Sequence, residues 1–408
     1  MKRLQVTMVA AVSAMTTTTA FGAGFALYEG SAAGTALGGT VVGKAYDASA
    51  NFYNPATLSD FTNTVVSIGF VTEHPTADTK VNGRSGRKLD PGAFVLPHFH
   101  LSQPLPWDFT FGLGFAPEYG LGTHYHPGWE MEWNTRSTLV EGLTLTPNLA
   151  YNITEDWSVS AGFRLLYFSF DQTSRQYAYG PLQGHYHLKG NNNFEDWGWQ
   201  VSTRYRITDT VSVGAMYKSY IDSEIKGHAH MRSGIPKIDG MASGTASAEI
   251  RLPQSVTVGA NWDVTETVHL GTAVTWTEWS SMPAINFKLP TGFHPAHLGW
   301  DDVFRFGFGG AWDFHENFSL LGSYVYDMDP CSTSRDSGST MLPPGDRHIA
   351  AFGISWHYRS IEVTLGYSLV FMCSESVNYT HPYTGRTQRF GTENGLSQSA
   401  GLTLTYAF

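Results

Sequence analysis

The sequence predicts an all-β transmembrane antiparallel β-barrel of about fourteen strands, an even number as such barrels have, with an N-terminal plug in its lumen. Three observations carry that prediction. Apolar residues alternate with small or polar ones along segment after segment from Thr64 to Phe408. Short links between these segments take turns with long ones, and the chain stops in mid-alternation on "GLTLTYAF". Charged residues make up only 15% of the 408 residues, yet no window holds the roughly 18 consecutive apolar residues of a membrane-spanning helix.

The alternation is plain in "IEVTLGYSLVFM". Ile361, Val363, Leu365, Tyr367, Leu369 and Phe371 fall on one face, and Glu362, Thr364, Gly366 and Ser368 on the other, the period of two that marks a strand. "VSVGAMY", "HIAAFGISWHY" and "FRFGFGGAWDF" repeat it. A soluble sandwich also alternates, so the links decide between the two. "PLPWD", "NITEDW", "ITDT", "DVTET", "FHEN" and "YRS" are short. They interleave with long stretches such as "HPTADTKVNGRSGRKLDPG", "YGPLQGHYHLKGNNN" and "CSTSRDSGSTMLPPGD", the rhythm of a bacterial outer-membrane barrel. Hydrocarbon offers backbone groups no hydrogen-bond partner, so such a sheet must close on itself. Closure pairs the last strand with the first, and places Phe408 at the periplasmic interface with Trp107, Trp157, Trp262 and Tyr358 near the short turns.

The chain divides into three parts. Residues 1–22 read as an export signal: Lys2 and Arg3, an apolar "LQVTMVAAVSAM", then small residues at Ala20 and Gly22 before a cut ahead of Ala23. Losing the two basic residues takes the net charge from -10 to -12, which disfavours nucleic acid as a partner. Residues 23–62 are too rich in Ala, Gly and Ser for strands, yet Phe25, Leu27, Tyr28, Val41, Val42, Phe52 and Tyr53 are too many bulky groups for a disordered tail. They are expected to fold as a plug inside the barrel of residues 63–408. An oxidising compartment permits a disulfide between Cys331 and Cys373, a pairing that the sequence leaves open.

"AGFALYEGSA", the "DAS" that follows it and the tripeptide Asn54-Pro55-Ala56 resemble the N-terminal hatch of the FadL family of outer-membrane transporters for long-chain fatty acids and other hydrophobic compounds, aromatic hydrocarbons included. The resemblance continues through "LPHFH", "IRLPQSVTVGANW", "TEWSSM", "WDDVFRFGFGGAW" and "LPPGDRHIAAFGISW". It implies a fourteen-stranded barrel closed by a hatch, through which a hydrophobic ligand diffuses with no energy source. It also implies an inward kink in the third strand that lets ligand leave sideways into the outer leaflet.

Candidate site residues follow. In "SVSAGFRLLYFSF", Val159, Ala161, Phe163, Leu165 and Tyr167 are expected to face lipid, so Arg164, Leu166, Phe168 and Phe170 line the lumen. With Phe25 and Tyr28 of the plug they form the expected ligand pocket. In "FTFGLGFAPEYG", Gly112, Gly114 and Pro117 are expected to break strand pairing, since proline donates no ladder bond and glycine weakens a strand. Arg305 points inward and matches a basic position of the family, with Asp302 expected as its ion-pair partner. Asp301 stands where fatty-acid members tend to carry lysine, which favours a neutral ligand. The 16 histidines include pairs at 98/100, 124/126, 185/187 and 228/230 without an evident third ligand, so no metal and no cofactor is expected. No G-x-S-x-G or H-E-x-x-H occurs, and the chain reads as a channel rather than an enzyme. The rival reading is a porin-like or structural barrel. The expected partners are a hydrophobic small molecule and outer-membrane lipid, with the protein monomeric.

Overall fold

The computed structural model describes residues 24–179, 182–331, 340–381 and 384–408. The export signal, its cut site and residues 332–339 of the cysteine-bearing loop lie outside the described residues.

Fourteen strands close into one antiparallel barrel. They are β1 (Val65–Val81), β2 (Phe94–Pro104), β3 (Phe109–His124), β4 (Ser137–Asn152), β5 (Trp157–Tyr179), β6 (Asp196–Arg206) and β7 (Val211–Lys218). The second half comprises β8 (Ser255–Asp263), β9 (Val268–Thr277), β10 (Val303–His315), β11 (Phe318–Asp327), β12 (Arg347–Tyr358), β13 (Ile361–Met372) and β14 (Thr387–Ala407). Neighbours in the sequence are neighbours in the wall, and β14 returns to β1 in register from Val65–Ala407 to Val81–Phe390. The Phe408 amide donates to the Thr64 carbonyl at 2.9 Å, so the closing seam reaches the last residue.

Outward positions of these strands stay exposed to the surroundings: Ile68, Phe163, Val258, Phe308, Phe352, Leu365 and Leu404 form the apolar band. The rings of Trp107, Trp157, Trp262, Tyr358 and Phe408 are exposed at the short-turn end, the girdle expected at a membrane interface. Three of the short turns use one device. Thr154, Thr208 and Thr265 each accept, through the hydroxyl, the backbone N–H of the residue that opens the next strand. Of the stretches expected as long loops, those holding Arg84–Leu89 and Leu182–Asn191 are ordered as strands, whereas residues 233–243 form a loop with a short helix. Leu182–Asn191, Ile221–Arg232, Gly244–Leu252 and Ala284–Leu289 prolong the wall on the long-loop side, because their own polar–apolar alternation supports pairing beyond the hydrocarbon.

The N-terminal segment lies inside the barrel. It holds helix α1 (Ala32–Ala36) and helix α2 (Ala50–Tyr53), both buried, and a 3-10 turn (Pro55–Asp60) buried through Leu58. Hydrogen bonds tie it to strands around the whole circumference: Ala32 N–H to Thr403 Oγ1, Ser323 Oγ to the Ala36 carbonyl, Asn261 Nδ2 to the Thr40 carbonyl, and Ala56 N–H to Ser202 Oγ. The plug is rich in small residues because its backbone rides directly on barrel glycines. A Cβ on Gly214 would stand 2.1 Å from the Val42 carbonyl oxygen, and one on Gly366 would stand 2.4 Å from that of Ala32.

Candidate ligand pocket and wall opening

Asn54, Pro55 and Ala56 pin the plug. Asn54 Oδ1 accepts the Ala56 N–H at 3.1 Å and caps the 3-10 turn, Pro55 fills its first position, and Asn54 Nδ2 donates to the Val42 carbonyl at 2.6 Å and the Thr203 carbonyl at 3.1 Å. One side chain thus satisfies a helix end, a plug loop and the β6 backbone together.

Strand β3 behaves unlike the others. It pairs with β4 along its whole length, slipping register between Pro117 and Tyr119, but its ladder with β2 ends among the described residues at the Phe99–Phe115 pair. Beyond that point the in-out alternation stops, and residues 116–123 are all buried. A strand buried on both faces has left the wall for the interior. The freed edge is taken by the plug: Leu27 N–H donates to the Glu118 carbonyl at 2.9 Å, and Gly120 N–H to the Phe25 carbonyl at 2.8 Å. Backbone groups that hydrocarbon would leave unpaired are thereby satisfied.

The break does not lie at the glycines. Gly112 and Gly114 sit in the paired part, opposite Ser102 and His100. They are glycines because the plug lies against them, a Cβ on Gly112 meeting Asn51 Oδ1 at 2.1 Å. Pro117 alone of the three stands at the register slip.

Next to the part of β4 that the inward-turned β3 follows, a cleft of about 1350 Å3 opens on the long-loop side, and much of its lining is charged, with Glu141, Asp171, Lys189, Glu224, Lys226 and Lys288. Pro97 of β2, Leu139 and Leu143 of β4 and Tyr167 of β5 line it from outside, and Phe170 reaches it from the inner face. Inside, Phe25 is fully buried in an aromatic cage: ring centroids of Trp279, Trp300, Tyr119 and Phe168 lie at 5.0, 5.8, 6.1 and 6.3 Å. Leu166 and Phe168 are wholly buried in the same apolar cluster, and Phe170 packs on Phe287 at 5.8 Å. Trp279 and Trp300 come from "TEWSSM" and "WDDVF", stretches that carried the resemblance without a stated role.

Arg164 is buried beside this cage. Its Nε and Nη2 donate to Glu118 Oε2 at 3.0 and 2.7 Å, Nη1 donates to the Ser219 carbonyl, and Lys218 binds the other carboxylate oxygen. Arg305 also faces inward, stacked 4.2 Å over the Tyr28 ring and donating to the Gly38 carbonyl. Its acidic neighbour is not Asp302, which instead accepts the Ser280 N–H, but Asp327, its partner across the β10–β11 ladder at 3.5 Å. An odd separation of three residues puts Asp302 and Arg305 on opposite faces of an extended chain. Arg347, the next rung, completes the row on Asp327 at 2.5 Å. Arg164 and Lys218 thus share Glu118, and Arg305 and Arg347 share Asp327. Both clusters contribute to the wall of a cavity of about 70 Å3 lined by Tyr28, Phe52, Glu118, Arg164, Lys218 and Arg305.

The two cysteines are free thiols. Cys331 is buried against Trp300 and donates its amide to Asp329 Oδ1, while the Cys373 amide is held by the Asp346 carbonyl. Each is anchored to its own acidic neighbour rather than to the other.

The profile of the family described as outer membrane protein transport protein (OMPP1/FadL/TodX) matches residues 13–408. The long-chain fatty acid transport protein of Salmonella typhi is 24% identical, with 93% of this chain and 95% of that protein aligned. Outer membrane protein P1 of Haemophilus influenzae is 22% identical over the full length of both. Among solved structures, a Pseudomonas aeruginosa FadL homologue superposes with a TM-score of 0.83 at 20% identity, covering 94% of this chain and all of that one. The toluene transporter TodX of Pseudomonas putida superposes with a TM-score of 0.69 at 19% identity, covering 94% and 99%. With its closed barrel, apolar band and buried plug, the chain belongs to the OMPP1/FadL/TodX family of bacterial outer-membrane transport proteins.

Proposed function

We propose that this protein is a monomeric, non-enzymatic channel for hydrophobic molecules, and that ligand leaves it sideways through the interruption between β2 and β3. The observation that carries this reading is the replacement of a wall strand by three plug residues, Phe25 to Leu27, beside a cleft whose apolar part is formed by Pro97, Leu139, Leu143 and Tyr167. A lipophile moving through it exchanges water for protein and then for lipid, at about 25 cal/mol per Å2 of apolar area, and needs no other driving force. The cage around Phe25, with Leu166, Phe168 and Phe170, would receive the ligand's apolar part once the plug's first residues swing out.

The ligand favoured is a carboxylate-bearing lipophile such as a long-chain fatty acid, the substrate class in the Salmonella relative's name. Arg164, Lys218 and Arg305 bring three cationic groups to the wall of the small cavity, the groups that a ligand carboxylate would pair with. Asp301 is not part of that wall, so the acidic residue at this position bears little on the charge of the ligand. The second reading, a neutral aromatic hydrocarbon, rests on the four rings that already hold a benzyl group in place. Competitive uptake by cells expressing the protein separates them. Displacement of labelled oleate by palmitate but not by toluene supports the fatty acid, the reverse supports the hydrocarbon, and uptake equal to that of cells lacking the protein defeats both.

A further inference from the structure

Above the cleft, on the same outer face, lies a second cavity of about 420 Å3 whose wall carries His124, Arg136, His185, His187, His230 and Arg232. Thr173, Ser137 and Ser174 add hydroxyl groups, and no carboxylate contributes to this wall among the described residues. The cluster is built by strand register: Thr173 pairs with His187, which pairs with His230, and in the next rung Arg175 pairs with His185, which pairs with Arg232. The nearest acids stand to the side, Asp171 Oδ1 at 2.9 Å from His187 Nε2 and Glu132 at 3.9 Å from Arg136 Nε. Two arginines and four imidazoles around hydroxyl groups recognise a multivalent oxyanion, above all a phosphate group.

Position selects the source. The rung immediately below, Asp171–Lys189–His228, already belongs to the rim of the wall cleft. Lower still on β5, the outward residues are Tyr167, Leu165 and Phe163, which belong to the acyl layer. Thr173 stands six residues beyond Tyr167, roughly 20 Å along the strand, past the hydrocarbon and among headgroups. We propose that this cavity binds the phosphate of an outer-leaflet lipid headgroup, whose acyl chains then descend over the cleft. The proposal rests on the long-loop side facing outward, as the channel reading also requires, but not on what the channel carries.

The test uses the full protein in detergent, titrated with bisphosphorylated lipid A, with its dephosphorylated form and with inorganic phosphate, and read by native mass spectrometry. Wild type should retain the phosphorylated lipid, and the Arg136→Gln/Arg232→Gln variant should bind it about thirty-fold more weakly. Arg136→Lys/Arg232→Lys should recover most of the loss. Equal affinity of wild type and the glutamine variant overturns the proposal. Inorganic phosphate binding as tightly as the lipid also overturns it, since the site then takes a free ion. Fatty-acid uptake measured on the same variants keeps the two readings apart: lipid retention without uptake faults the channel and leaves this site standing.

Discussion

Phe25→Ala tests how the wall opening is kept shut. The ring is 1% exposed, and four other rings surround it at 5.0 to 6.3 Å. Truncating a buried phenylalanine costs about 3 to 5 kcal/mol, and aromatic contacts of this geometry account for about 0.5 to 1.5 kcal/mol each. Taking the lower figure of about 3 kcal/mol, the equilibrium between the seated and released plug start shifts by roughly two orders of magnitude, at a factor of ten per 1.4 kcal/mol. The seated state is reported by two amides, Leu27 bonded to Glu118 and Gly120 bonded to Phe25. Hydrogen exchange should therefore quicken about a hundred-fold at Leu27 and Gly120. Exchange at Leu404 and Leu365, inside the β13–β14 ladder, should stay unchanged. Exchange at Leu27 and Gly120 within about three-fold of wild type would refute the reasoning, because the cage would then not be what holds the segment on β3.

Further outcomes follow from other contacts. Asn54→Ala removes the cap and the bonds to Val42 and Thr203, a loss of about 2 kcal/mol from the plug's seat, and single-channel conductance in planar bilayers should rise above the parent's closed baseline. Gly214→Val forces a side chain onto the Val42 carbonyl and should abolish the folded, heat-modifiable band on gels, whereas Gly322→Ala, with its nearest obstacle at 3.7 Å, should fold as the parent does. Asp329, in the segment between β11 and β12, has its carboxyl pushed up to about 7 by burial, against the N–H groups of Cys331 and Gly345 that favour its charge. A carboxyl raised on folding binds more protons folded than unfolded, so its contribution is complete below the ordinary carboxylate range and is lost as pH climbs through about 7. Local exchange protection at Cys331 should fall between pH 5 and 8 in wild type and stay flat in Asp329→Asn. Burial also raises the Cys331 thiol, so alkylation of the native protein at neutral pH should label Cys373 first.

Much of the barrel was legible because a period of two survives in any strand with unlike faces. Phe163 and Leu165 were placed outward and Arg164, Leu166 and Phe168 inward by that rule, and they stand so. Sequence proximity misled where register mattered: Asp302 is three residues from Arg305, but the carboxylate that reaches the guanidinium is Asp327 on the next strand. The glycines of β3 were read as strand breakers, while the contacts that require them are made by Asn51, far away in the sequence. Trp279, Trp300, Glu118 and Lys218 were missed for the same reason. They come from four separate places in the chain, and only closure of the barrel brings them to Phe25 and Arg164. The Leu182–Asn191 stretch alternates too, but with His185, His187 and Lys189 on its outer face, so it looked like a loop.

The sideways route is tested most directly by blocking it. In a Cys331→Ser/Cys373→Ser background, single cysteines at Pro97 or Leu143, on either side of the cleft, are coupled to a bulky maleimide, with cysteines at Phe308 and Phe352 on other outward strands as controls. Fatty-acid uptake should stop with adducts at 97 or 143 and continue with adducts at 308 or 352. Undiminished uptake through a protein labelled at both 97 and 143 would contradict exit through the wall.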